Sequence, residues 1–124
     1  MKKSILIIII CLMSFTLFAN QPQNSDKREK AQITFLELGA ETCIPCKMMK
    51  PVMKDIDTTY NGKVQVIFHD VTKDRDIAKK YNIRVMPTQI FLDKDGKEFH
   101  RHEGFYPKEE IMKILDPKLG IKRK

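Results

Sequence analysis

Thr42-Cys43-Ile44-Pro45-Cys46-Lys47 places two cysteines three positions apart with a proline between them. The residues on either side put Cys43 at the start of a helix. There, unpaired backbone N–H groups and the helix dipole favour an anion. A thiolate is such an anion, so Cys43 is the expected nucleophile at neutral pH. Cys46, one turn along, is expected to lie beneath it as the resolving thiol. Pro45 costs little in a first turn, where its missing N–H would have had no helical partner. Two plainer readings stand beside this one. The pair is an inert structural disulfide, or it is half of a zinc site. Zinc takes four ligands, and no second closely spaced Cys or His pair completes a set.

Upstream of the pair, Ala31 to Leu38 reads Ala-Gln-Ile-Thr-Phe-Leu-Glu-Leu, β-prone and mostly apolar, the pattern of a buried strand. It runs through Gly39-Ala40-Glu41-Thr42 straight into the cysteines. The site therefore sits between a strand's carboxyl end and a helix's amino end, where open α/β sheets hold their chemistry. Downstream, Met48, Met49, Val52, Met53 and Ile56 recur at helical spacing, with Lys50, Lys54, Asp55 and Asp57 on the polar side. Core packing is the default for such methionines. Pro51 should kink this helix, and Asn61-Gly62 should close it after about Thr59.

Lys63 to His69 reads as a second strand and Asp70 to Asp76 as a charged loop. A short helix through Ile77, Ala78 and Tyr81 follows. Ile83-Arg84-Val85-Met86-Pro87-Thr88 leads into a strand over Gln89 to Leu92. Asp93-Lys94-Asp95-Gly96 is a hairpin signal. Lys97 to His102 returns, and Gly104 ends the strand. Pro107-Lys108-Glu109-Glu110 opens a last helix to about Leu115, with Asp116-Pro117 as its stop. The order is β-α-β-α-β-β-α, an α/β chain with helix-linked strands before an antiparallel hairpin. Neither an internal repeat nor a low-complexity stretch appears.

The chain has 124 residues, room for one domain. Lys2 and Lys3 precede an apolar run of 15 positions, Ile5 to Ala19. A membrane span needs roughly 20 residues. The run fits the core of a secretory signal with Ala19 at the cleavage point, and an uncleaved anchor is the alternative. Cys11 follows the large Ile10 inside the run, unlike a lipoprotein cysteine. Residues 1–19 are thus read as a signal, 20–31 as a linker or short first element, and 32–124 as the domain. Losing Lys2 and Lys3 takes the basic count from 23 to 21 against 16 acidic residues, so net charge falls from +7 to +5. These charges are interspersed, apart from the Lys122-Arg123-Lys124 tail. No basic stripe with stacking aromatics marks a nucleic-acid surface. The two remaining cysteines then sit in an oxidising compartment, paired unless something reduces them.

In this order, Cys43-Ile44-Pro45-Cys46-Lys47, Pro51, Val85-Met86-Pro87-Thr88, the Asp-Gly turn and Gly104 resemble the thioredoxin-like family over roughly Ile33 to Leu115. The resemblance implies a thioredoxin fold with a mixed four-stranded sheet flanked by helices. It also implies a cis bond before Pro87, which would face the cysteine pair and expose the Met86 backbone to an extended client. Glu37 takes the place of the family's buried aspartate, where an acid accepts the Cys46 proton and burial raises its pKa. Thr42, Ile44, Pro45, Met86, Pro87 and Gly104 would form the client-contact surface. Thr42, Ile44 and Gly39 replace residues that are usually tryptophan, glycine and an aromatic.

The implied activity is exported thiol–disulfide exchange through Cys43 and Cys46 on protein disulfides, running in the reducing direction. No cofactor beyond the pair and no metal is expected. A membrane thiol carrier of the cytochrome-c-maturation type would be the electron donor, and a monomer the working unit. The rival readings are a disulfide oxidant, a Cu(I)-handling module recruiting His69, His100 or His102, and a binding-only domain. In the Cu(I) reading soft thiolates and methionines would hold the ion. His100 and His102 alternate on one strand and are read as solvated edge residues.

Overall fold

The computed structural model describes residues 31–123. The expected signal and almost all of the linker lie outside the described residues. Seven elements follow in chain order: β1 Ile33–Gly39, α1 Ile44–Tyr60, β2 Val64–Asp70, α2 Arg75–Lys80, β3 Thr88–Asp93, β4 Glu98–Glu103 and α3 Lys108–Lys118. The four strands form one sheet in the order β2-β1-β3-β4. β1 runs parallel to β2 and antiparallel to β3, and β3 and β4 form the hairpin. This is the mixed four-stranded sheet that the resemblance implies.

β1 is central and buried along nearly its whole length, which is why its sequence does not alternate strictly. One face packs Phe35, Phe91 and Val64 against Met49, Ile56 and Tyr60 of α1 and Ile111 and Leu115 of α3. Phe35 and Phe91 stack with centroids 4.7 Å apart, an arrangement that adds about 0.5–1.5 kcal/mol to their burial. The other face packs Leu36, Leu38 and Ile90 with Val71, Ile77 and Tyr81. Tyr60 ties α1 to α3 by donating to Asp116 Oδ1 at 2.6 Å, while Arg123 grips Asp116 Oδ2.

Local signals explain the element ends. Asn61 adopts the left-handed conformation and its N–H bonds Asp57 O, closing α1. Asp74 caps α2 by accepting the Asp76 and Ile77 N–H groups. In the hairpin, Asp93 Oδ1 accepts from the N–H groups of Asp95 and Lys97.

Three expectations need correction. Pro117 does not stop the last helix, which continues to Lys118 with Leu119 N–H bonded to Leu115 O. A proline in a final turn removes one hydrogen bond without preventing the next residues from closing theirs. Met48 is not core: it is 52% exposed, four positions after the exposed Ile44 and on the same side of α1. Nor are His100 and His102 solvated. Both are half-buried, His102 stacks on Tyr106 at 3.9 Å, and His100 Nε2 meets the Tyr106 hydroxyl at 3.0 Å.

Candidate active site

β1 delivers the chain into a tight turn in which Cys43 N–H bonds Ala40 O at 3.1 Å. Cys43 is the N-cap of α1, in extended conformation, and its carbonyl accepts the first helical bond, from Lys47 N–H. Its sulfur makes no capping bond, and the first turn carries no acidic residue to neutralise the field of the helix end. The sulfur is therefore left as the group on which the helix terminus acts. Cys43 is half-buried and Cys46 is only 2% exposed. Both are free thiols, so the structure is that of the reduced pair.

Burial, then the hydrogen bond with Cys43, pushes the Cys46 thiol up to about 11. An Ala40 backbone hydrogen bond acts in the opposite sense, and the Cys43 and Glu37 charges add to the rise. At neutral pH Cys46 is a neutral thiol that needs a base before it can attack.

Gly39 has a role that its sequence neighbours do not disclose. A Cβ there would stand 2.7 Å from Cys46 Sγ and 3.2 Å from its Cβ. A side chain at this position would have to displace the resolving sulfur. The departure from an aromatic at Gly39 thus makes room for Cys46 in its present rotamer.

Glu37 faces the same side of the sheet as its register partners Phe68 and Gln89. It is fully buried, which excludes a glutamate pointing to water or pairing with a surface lysine. Burial pushes its carboxyl up to about 8, and the Gln89 side chain opposes the rise. A carboxyl poised near neutrality can take a proton and return it.

The Met86–Pro87 bond, immediately before β3, is cis. Thr88, fully buried, donates from its hydroxyl to Val85 O at 2.7 Å and braces this turn from below. Gly104, at φ +92, donates its N–H to Pro87 O at 2.7 Å and so ties the end of β4 to the proline. That φ is one L side chains rarely adopt, so glycine is required there. On the other flank, Asp70 accepts from Glu41 N–H at 3.2 Å and from Thr72, while Lys73 pairs with Glu41 at 3.0 Å. These bonds fasten the turn before Cys43 to the end of β2. The Thr72 hydroxyl bond is the main reason the Asp70 carboxyl falls to about 2.

The expected contact residues divide. Thr42, Ile44 and Met86 are exposed, Pro45 and Gly104 are half-buried, and Pro87 is buried. Sequence reasoning missed the exposure of Met48, Val85 and Phe105, which are 52%, 45% and 41% exposed, as are Ile44 and Met86 at 73% and 39%. Beside Met86 a shallow groove of about 350 Å³ is lined by Val71, Ala78, Ile83 and Arg84. The histidines are not brought to the cysteines: among the described residues no cluster of three His, Cys, Asp or Glu side chains could hold a metal ion.

A half-buried thiol at a helix terminus, a buried partner thiol one turn on, a buried acid and a cis proline leading into β3 fit a thiol–disulfide oxidoreductase. The thioredoxin family profile matches residues 16–117. The thioredoxin of Staphylococcus aureus is 33% identical over 94 residues, covering 76% of this chain and 89% of that protein. The chain belongs to the thioredoxin family. Among solved structures, mitochondrial thioredoxin 3 of Saccharomyces cerevisiae is 28% identical with a TM-score of 0.62, over 73% of this chain and 84% of that one. The germline thioredoxin Deadhead of Drosophila melanogaster shares the fold at a TM-score of 0.65 and 24% identity, over 75% and 86% of the two chains.

Proposed function

We propose that the chain is an exported reductase of protein disulfides, recharged by a membrane thiol carrier and acting as a monomer. The observation that carries the reading is the asymmetry of the pair, Cys43 partly open on a helix terminus and Cys46 buried near an ionisable acid. In the reducing direction Cys43 thiolate attacks a client disulfide, forms a Cys43–client bond and expels one client thiolate. Glu37 takes the Cys46 proton. Cys46 then attacks Cys43 Sγ, the second client sulfur leaves as a thiolate, and the enzyme holds a Cys43–Cys46 disulfide. The client gains two electrons, the pair loses two, and water protonates the released thiolates. A donor dithiol restores the pair by the same exchange in reverse.

An extended client strand can pair with the exposed Met86 backbone while its apolar side chains cover Ile44, Met48, Val85 and Phe105. Export is supported by Lys2, Lys3 and the apolar run from Ile5 to Ala19. An oxidising compartment supplies no thiols of its own, so electrons must arrive through the membrane. The direction is supported by Pro45 immediately before Cys46, as in reducing members of the resembled family.

The deciding measurement is the Cys43–Cys46 reduction potential, by equilibration with glutathione or dithiothreitol. Reducing thioredoxin itself lies at about −270 mV and the strong oxidant DsbA at about −120 mV. The expected value lies near the first. A value near the second makes the chain an oxidant.

A further inference from the structure

Gln89 is a polar residue in the middle of an apolar strand, and it is fully buried. Its register partner on β1 is Glu37, and on β4 it is His102, so the three share one face of the sheet. The Gln89 amide nitrogen has two hydrogens and two acceptors. It donates to Gly104 O at 3.0 Å and to Glu37 Oε1 at 3.4 Å. Two buried oxygens in this pair, Glu37 Oε2 and Gln89 Oε1, have no hydrogen-bond partner among the described residues. Buried polar atoms without partners are costly, and their placement calls for a reason.

We propose that Gln89 is a positioning residue for proton transfer: it pins Glu37 Oε1 and so makes Oε2 the oxygen that receives the Cys46 proton. The proposal rests on the exchange mechanism above and adds a residue to it. With Oε1 occupied as an acceptor, a proton on the carboxyl belongs on the oxygen that has no other bond. The contact is 3.4 Å, near the long limit of a hydrogen bond. When Glu37 ionises, the same contact becomes charge-assisted and draws in. Gln89 therefore favours the carboxylate, the form able to act as base. Its second hydrogen anchors the amide to Gly104, the residue that holds Pro87 O, so the acid's support is built from the same loop that borders the client surface.

In the resolving step the Cys46 S–H proton ends on Glu37 Oε2, an oxygen with no direct hydrogen-bond partner among the described residues and so reached through a relay. The freed electron pair forms the Cys46–Cys43 bond as the Cys43–client bond breaks, and the client sulfur leaves with its electrons. The groups that face Glu37 are few. α1 contributes Cys46, with Cys43 beside it. Along the same face, β2 contributes Phe68 and then Asp70, which is turned to Glu41 and Thr72. β4 contributes His102, two strands away and stacked on Tyr106, which lies between β4 and α3. None of the others is a buried carboxylate, so the pH limb of resolution below about pH 8 is assigned to Glu37.

The test is stopped-flow reaction of the full reduced chain with 5,5′-dithiobis(2-nitrobenzoate) across pH. The first chromophore is released by attack of Cys43, and the second by attack of Cys46 on the Cys43 adduct. In Gln89→Leu the midpoint of the second phase is expected to move up by about one pH unit, slowing it about tenfold at pH 7. The loss should fade at high pH, a pattern a merely loosened fold does not give. In a Glu37→Gln background, Gln89→Leu should leave the profile where it is. Gln89→Met, of similar length, carries the same test where the leucine variant does not fold. An unshifted profile in the folded variant, or an equal slowing at every pH, overturns the proposal. Absence of the second phase in the unaltered chain overturns the exchange mechanism itself.

Discussion

A Cys46→Ser variant is expected to stall with client proteins covalently attached to Cys43. Cys43 keeps its place at the N-cap of α1, so the first attack proceeds. A serine hydroxyl cannot form the second disulfide, and release then depends on thiols from solution. An intramolecular group placed in contact with its target acts at an effective concentration of about 10⁵ M or more. Millimolar external thiol replaces it poorly, so turnover of a disulfide substrate should fall at least about 10³-fold. Non-reducing gels of cells carrying the variant should show adducts that collapse with reductant. Cys43→Ser, made in parallel, should capture nothing. Equal capture by both variants would place the nucleophile at the wrong cysteine.

Replacing Glu37 by glutamine is expected to stabilise the fold at alkaline pH while slowing resolution. The Glu37 carboxyl titrates at about 8 in the folded chain against 4.5 for the free side chain, chiefly because burial penalises its charge. Between those values the native state holds a proton that the unfolded chain has lost, so stability falls as pH rises. Below 4.5 the group has no effect on stability, and above about 8 its full penalty is present. A tenfold change in proton affinity corresponds to about 1.4 kcal/mol. Raising the carboxyl from 4.5 to about 8 therefore carries a penalty that approaches about 5 kcal/mol. Glu37→Gln keeps the neutral shape and removes the titration. Denaturant unfolding should show the variant more stable by several kcal/mol at about pH 9 and close to the parent at about pH 4. Loss of a general base commonly costs about 10²–10⁴-fold, and the resolving step at neutral pH should slow within that range. Parallel stability curves across this span would mean that Glu37 is not held neutral by the fold.

Part of the molecule is legible in its residues and part is not, for physical reasons. Cys43, Pro45 and Cys46 carry their meaning locally: spacing and helix-terminus electrostatics need no knowledge of the rest of the chain. The Asp93–Gly96 turn and the Asn61-Gly62 helix end are equally local. The cis bond before Pro87 and the role of Glu37 come through resemblance, and burial of Glu37 is a property of the assembled sheet. His100 and His102 are misplaced by strand alternation because their cover, Tyr106, arrives from beyond the strand. Met48 is misplaced because helical spacing marks a stripe without saying how far the stripe overhangs the core at its first turn. Gln89 is visible as an anomaly in an apolar strand, but its partner lies 52 positions away. Gly39 reads as a missing aromatic, and only the position of Cys46 Sγ gives it a purpose.

The central assertion is that the two thiols are unlike, one activated at the end of α1 and the other shielded behind it. Brief treatment of the reduced chain with iodoacetamide at neutral pH, followed by mass mapping of the peptides, reads that difference directly. The expected product carries a single label on Cys43, with Cys46 modified only after unfolding. A Cys43 that stays unlabelled, or a Cys46 labelled at the same rate, would contradict it.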